Sequence, residues 1–383
     1  MQNISFSKRY AIPCLVQLLQ AMVLWAVLDY ITIFWIDLGF SHFQVGILMA
    51  IFPLTSLILM IPFGIFVDRI SPKKLVIASH VIFGVSLAGL LFTQDFWLTI
   101  LLLVVGGSGN ALYNNALPSL YYKTLGDKLR GFKLGIFTAT TLVGYGLGPL
   151  IGGFILSACD MNAVFIFALL GSIPLLILSL FLADIPGARV KLADYRTDLK
   201  NKSVLVFIIL VFLFALHGGA EQTSFSLFLN KDIGLSKESV GWMFFIHANF
   251  MALLSVASGI VADRFDSRGR GLAKLFYAGI IISGLANIML VMASNFGTVL
   301  ATRLTHAVGD SMTLVTRSLI ISNLFITTRM GGNLGAVTAT VMLGTLIGSV
   351  ISGAVPGYVS GFVIAGALAV LAIPIVMLAK PEF

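Results

Sequence analysis

The sequence predicts an all-α membrane protein, with twelve transmembrane helices in two pseudo-symmetric six-helix bundles. Three observations carry this. Of 383 residues, 58% are hydrophobic and only 10% charged, with a mean hydropathy of +1.02, whereas soluble domains are about half apolar and about a quarter charged. Apolar runs long enough to cross a bilayer as a helix, about 20 residues, recur along the whole chain. The sequence also repeats itself at half its length: Gly64, Asp68 and Arg69 return 195 positions later as Gly259, Asp263 and Arg264, and Gly144, Gly148 and Gly153 return 200 positions later as Gly344, Gly348 and Gly353. Repeats of this kind mark one structural unit used twice.

Taken in order, the twelve candidate spans are residues 11–36, 43–67, 75–93, 96–122, 131–158, 162–183, 203–230, 237–263, 271–293, 296–323, 331–359 and 361–380. The first follows Lys8 and Arg9 and is too long for the core of a signal peptide, so it is read as a retained span. The longest charged stretch, Asp184 to Lys202, contains Arg189, Lys191, Arg196 and Lys200. It divides the chain into an N-terminal bundle (1–183), a cytoplasmic linker (184–202) and a C-terminal bundle (203–383). With both termini in the cytoplasm, only Lys231 and Lys237 fall outside and Arg303 and Arg317 fall within span ten, so 20 of the 24 Lys and Arg residues are cytoplasmic. This is the positive-inside pattern. The net charge of +8 is thereby a topology signal and calls for no nucleic acid. Cys14 and Cys159 form no disulfide framework or metal-ligand spacing.

Two short patterns stand out against this apolar background. Gly64, Asp68, Arg69, Lys73 and Lys74 lie between spans two and three, and Gly259, Asp263, Arg264, Arg268 and Arg270 between spans eight and nine. Read as residues alone, each is a tight, charged cytoplasmic turn. On span five, Gly144, Gly148, Pro149, Gly152 and Gly153 place small residues at i, i+4 spacing, which lets two helices approach closely in lipid. Together with twelve spans and a basic central linker, these patterns resemble the major facilitator superfamily of secondary transporters over nearly the whole chain. The resemblance implies a gating role for the two loops, whose acidic and basic residues bridge to neighbouring helix ends and release on switching. The span-five pattern is similar to the antiporter motif of drug/proton exchangers, which implies export. One departure concerns span four, where LLLVVGGSGNALYNNAL lacks the arginine usual in such antiporters. Arg303, His306 and Gly309 stand at that spacing on span ten, which either weakens the proton-coupling part of the resemblance or moves it to the other half.

Ionisable residues inside a membrane are costly and mark functional sites. Asp29 on span one, Glu221 on span seven and Asp310 on span ten qualify. Asp29 shifted by 195 falls at position 224, one turn from Glu221, and His217 lies one turn before Glu221. Arg303, His306 and Asp310, at i, i+3 and i+7, share one helical face. Desolvation favours the neutral form of a carboxylate and a nearby cation the charged form, so Asp29 and Glu221, which have no cation close in sequence, are the candidate proton carriers. Asn110, Asn114 and Asn115 are three amides on about one turn of span four, and each needs a partner away from water. His80 and His247 read as packed rings.

Taken together, these features predict a monomeric secondary transporter in the cytoplasmic (inner) membrane, an antiporter that works by alternating access, with no cofactor. Its partners are protons, the lipid bilayer and a small molecule. The preferred cargo is an amphipathic or cationic compound exported against protons. The alternatives are proton-driven import or exchange of a polar solute (a sugar, organic acid, metal chelate or siderophore), and lipid flipping. An enzyme is disfavoured, since no serine elbow, metal-ligand spacing or phosphate loop is present.

Overall fold

The computed structural model describes residues 8–265 and 270–379, and no strand occurs among them. The α-helices are α1 (Lys8–Leu28), α2 (Ile31–Asp37), α3 (His42–Arg69), α4 (Pro72–Phe92), α5 (Phe96–Thr124), α6 (Arg130–Ala158), α7 (Met161–Leu180), α8 (Leu192–Lys200), α9 (Lys202–Ala220), α10 (Lys237–Arg264), α11 (Arg270–Met289), α12 (Phe296–Leu324), α13 (Met330–Ala354) and α14 (Ser360–Ala379). Two π-helical turns, Glu221–Phe225 and Phe228–Asp232, follow α9.

Every predicted span is found as helix. Eleven helical segments of the described residues are long and apolar enough to cross a membrane. The remaining predicted span, span ten (α12), is equally long at 29 residues, but Arg303, Asp310 and Arg317 make it too polar to qualify by composition. Two predicted spans are interrupted: span one breaks at Asp29 and Tyr30 between α1 and α2, and span seven passes from α-helix into π turns at Glu221. Span eleven ends before residue 359. Pro356 cannot continue the helix, and Gly357 takes a positive φ of 76°.

Several of the sparse polar residues are spent on helix starts. Asp95 accepts from the Leu98 amide at 2.7 Å, Asp160 from Ala163 at 2.9 Å, and Asn295 from Thr298 at 3.0 Å. Ser41 with Gln44 and Asn295 with Thr298 form reciprocal capping boxes. Such caps satisfy amides that a helix leaves without partners.

The chain forms two compact units. One contains Met1–Gly126, Thr140–Lys191 and Thr327–Ala336, the other Asp127–Ala139, Leu192–Ile326 and Val337–Phe383. In the first, the main helix pairings are α3 with α5, α4 with α5, α1 with α7 and α4 with α7. In the second they are α10 with α12, α11 with α12, α9 with α14 and α11 with α14. Each pairing in one unit has its repeat-related counterpart in the other, so the duplication read from a few glycines and acids is a duplication of packing.

Candidate functional site

The largest concentration of ionisable side chains within the apolar helices lies in the second unit. α12 contributes Arg303, His306 and Asp310 from one face, all buried. The end of α9 contributes His217, and the π turn that follows presents Glu221. Arg303 Nη2 donates to Glu221 Oε1 at 2.5 Å. The same nitrogen lies 3.1 Å from Nε2 of His247 on α10. A guanidinium only donates and a carbonyl only accepts. His247 therefore accepts at Nε2, while its Nδ1–H donates to the Arg303 carbonyl at 3.2 Å. The Phe225 ring, on the same π turn as Glu221, lies 4.6 Å from the guanidinium carbon and adds a cation–π contact.

Asp310 looks the other way. Its Oδ1 accepts from Ser283 of α11 at 2.7 Å, and its Oδ2 lies 3.3 Å from His217 Nε2. His217 Nδ1–H donates to the Phe214 carbonyl. His306 sits between the two acids, its Nε2 3.4 Å from Asp310 Oδ1 and 3.7 Å from Glu221 Oε1, and its ring packs against those of His217 and His247. Both ring nitrogens of His306, and Nε and Nη1 of Arg303, have no hydrogen-bond partner among the described residues.

Asp29 belongs to the first unit. It is exposed at the break between α1 and α2 in the first unit, where the neighbouring Tyr30 donates its hydroxyl to the Pro149 carbonyl at 2.8 Å. His247 and Ser283 enter the network although nothing in their local sequence marks them. His247 is one ring on an apolar stretch, and only the pairing of α10 with α12 brings it to Arg303.

The asparagines of α5 find partners inside the first unit. Asn110 donates to Ser56 Oγ at 3.2 Å, Asn114 to Asn110 Oδ1 at 3.0 Å, and Asn115 to the carbonyls of Met60 and Ala111, each at 2.9 Å. They form a polar ladder joining α3 to α5.

The two charged loops share one construction. Asp68 is fully buried and accepts from the amides of Gly331 and Gly332 at 2.8 Å each, and from Lys123 at 2.9 Å. It caps the start of α13, where the unpaired amides and helix dipole favour a carboxylate. Asp263 does the same for α6, accepting from Gly131 at 2.8 Å and Phe132 at 2.9 Å. The glycine one turn earlier explains the spacing: a Cβ on Gly64 would strike the Gly331 carbonyl, and one on Gly259 the Gly131 carbonyl. Among the accompanying basic residues, Arg69 donates to the Val190 carbonyl at 3.4 Å, Lys73 is half-buried and Arg264 is exposed. Arg268 lies outside the described residues, as does the side chain of Arg270.

The span-five glycines form a seam between α6 and α1. A Cβ at Gly144 would lie 2.6 Å from that of Ala21, and one at Gly148 would lie 2.6 Å from the Met22 carbonyl oxygen. One at Gly152 would meet Ala26 backbone, and Gly153 adjoins the Tyr30 hydroxyl. In the second unit, Gly344 and Gly348 meet α9 at Phe212 and Leu216 in the same manner, whereas Gly353 stands clear.

A duplicated, all-helical, multi-pass membrane protein with an ion-paired network inside one of its bundles is built as a carrier of small solutes. The chain belongs to the Major Facilitator Superfamily, whose family model matches residues 14–227 and 207–382, and it is a transporter rather than an enzyme. It is 26% identical over 323 residues, 80% of each chain, to an uncharacterized MFS-type transporter of Methanocaldococcus jannaschii. It is 23% identical over 283 residues to the quinolone resistance protein NorA of Staphylococcus aureus, covering 72% of this chain and 71% of that one. The solved structure of the human organic anion transporter TETRAN superposes with a TM-score of 0.77 at 15% identity, over 96% of this chain and 99% of that one. The protein is thus a superfamily transporter that resembles drug antiporters.

Proposed function

We propose that this transporter exports a small amphipathic or cationic compound in exchange for protons. In this reading it works by alternating access as a monomer in the cytoplasmic membrane, with both termini in the cytoplasm and residues 1–183 and 203–383 as its two transport halves. The observation that carries the reading is the Glu221–Arg303 ion pair at 2.5 Å, with the arginine 3% exposed. Arg303 keeps the His247 nitrogen and the Phe225 ring as partners when Glu221 withdraws from it. Arg303 supplies the nearby cation that the local sequence of Glu221 lacks and favours its charged form while the pair stands; only after withdrawing is Glu221, its side chain 26% exposed, free to take a proton or the cationic group of a substrate. Two ligands that compete for one carboxylate are exchanged rather than carried together. Asp29, exposed at the repeat-related helix break, is the second carboxylate of the cycle. The relationship to a quinolone resistance protein supports export of an amphipathic compound, as does the span-five seam.

The test is accumulation of a fluorescent lipophilic cation in everted membrane vesicles. An acid-inside gradient drives accumulation, which stops when the gradient is collapsed and in Glu221→Gln. Accumulation that ignores the gradient would overturn proton coupling.

A second reading, transport of an anionic or polar solute, is favoured by the Arg303 Nε and Nη1 donors, which have no hydrogen-bond partner among the described residues. Under that reading, gradient-driven movement is seen for carboxylates and not for cations, and Arg303→Gln abolishes it.

A further inference from the structure

We infer that His217, His306 and Asp310 form a binding site for one divalent transition-metal ion of the zinc class, linking α9 to α12. The three side chains are all buried, and one ligand atom from each lies within 4.8 Å of the others. Zinc bonds to imidazole nitrogen and carboxylate oxygen are about 2.0–2.2 Å long, so two ligands of a tetrahedral ion stand about 3.3–3.6 Å apart. The nitrogen–oxygen separations here are 3.3 Å from His217 Nε2 to Asp310 Oδ2 and 3.4 Å from His306 Nε2 to Asp310 Oδ1, so the two rings face different oxygens of one carboxylate. Both are longer than an ordinary charge-assisted hydrogen bond, about 2.7–2.9 Å, and are lengths that an ion held by both rings and by the carboxylate through its two oxygens would span.

Hydrogen bonding points the same way. The Phe214 carbonyl accepts from His217 Nδ1, which makes that nitrogen the protonated one and turns the lone pair of Nε2 onto the Asp310 carboxylate. Two lone pairs facing each other require a cation between them. A proton would serve His217 and Asp310, but it would leave His306, 1% exposed, with neither ring nitrogen in a hydrogen bond. A metal ion seated among the three takes a lone pair from each side chain and leaves only His306 Nδ1 without a partner among the described residues.

The surroundings are those of a metal site. Ligating histidines usually donate their other nitrogen to a carbonyl, and ligating carboxylates are themselves hydrogen-bonded. The Phe214 carbonyl and the Ser283 hydroxyl, 2.7 Å from Asp310 Oδ1, fill these roles. Glu221 offsets the charge of Arg303, and the Asp310 charge remains for the metal. Two imidazoles and one carboxylate suit zinc, cobalt or nickel better than magnesium or calcium, and they leave a fourth position for water. The inference does not depend on the direction or the coupling of transport.

The test is titration of the tag-free, full-length protein in detergent with Co²⁺, followed by its visible ligand-field bands. One equivalent per chain should give bands of tetrahedral intensity that Zn²⁺ displaces. His306→Ala and Asp310→Asn should abolish them, and Ser283→Ala should weaken binding by about 10–100-fold, as loss of an outer-shell partner does. His247→Gln should retain them, because both His247 nitrogens are already engaged with Arg303. X-ray absorption on the zinc-loaded wild type should report two imidazoles. Absence of saturable bands from the wild type, or bands that persist in both His306→Ala and Asp310→Asn, overturns the assignment whether or not those variants alter stability.

Discussion

Glu221 and Arg303 meet at 2.5 Å inside helices that otherwise bury apolar side chains, so each is the reason the other is tolerated. Removing one member of a buried pair strands the other and costs about 3–5 kcal/mol. Glu221→Gln should therefore melt several degrees lower in detergent, and adding Arg303→Gln should recover part of the loss without restoring transport. Asp68→Asn loses a carboxylate that holds two helix-start amides and Lys123. Loss of such a cap costs about 1–2 kcal/mol, so a lower melting temperature together with impaired transport is expected, and Asp263→Asn should behave alike. The presence of costly groups was legible in the sequence, because Glu221, Arg303, His306 and Asp310 stand out from an apolar background. Which acid takes Arg303 was not. Arg303 and Asp310 share a helical face, yet the π turn swings Glu221 to the guanidinium while Ser283 and His217 hold Asp310. Those are contacts between helices distant in sequence, and local spacing carries no trace of them.

At the level of helices, the glycine seams make a sharper forecast than the charges. Gly348 lies directly against Leu216 backbone, whereas a Cβ on Gly353 would meet nothing closer than 4.0 Å. Gly348→Leu should abolish folded, monodisperse protein, and Gly353→Ala should leave yield and melting temperature unchanged, with fluorescence-detected size exclusion as the readout. Gly148→Leu should fail as Gly348→Leu does, since it drives a side chain into Met22 and Trp25. The four-residue glycine spacing on spans five and eleven made a close helix contact readable, and the offset of 200 made it readable twice. The interruptions at Asp29 and at Glu221–Phe225 were hidden. Neither WAVLDYIT nor AEQTSFSL contains a proline or glycine to signal a break.

For the whole molecule, the duplicated packing explains why so little sequence is needed to specify it. Each main helix pairing in one unit has a counterpart in the other, and the same capping of a helix start by an acid serves α13 and α6. Composition and periodicity were enough to read the fold class, because spanning a bilayer admits few alternatives. They could not reach the asymmetry between the units, since the dense ionisable network lies in the second unit while the first carries an asparagine ladder. The central claim is that substrate and proton compete for Glu221. It is tested most directly by adding lipophilic cations to weakly buffered, purified protein and recording the change in pH. Proton release from the wild type that is lost in Glu221→Gln and reduced in Asp29→Asn is the predicted result. Release of equal size in the wild type and in both variants, or release only on adding anionic solutes, would contradict it.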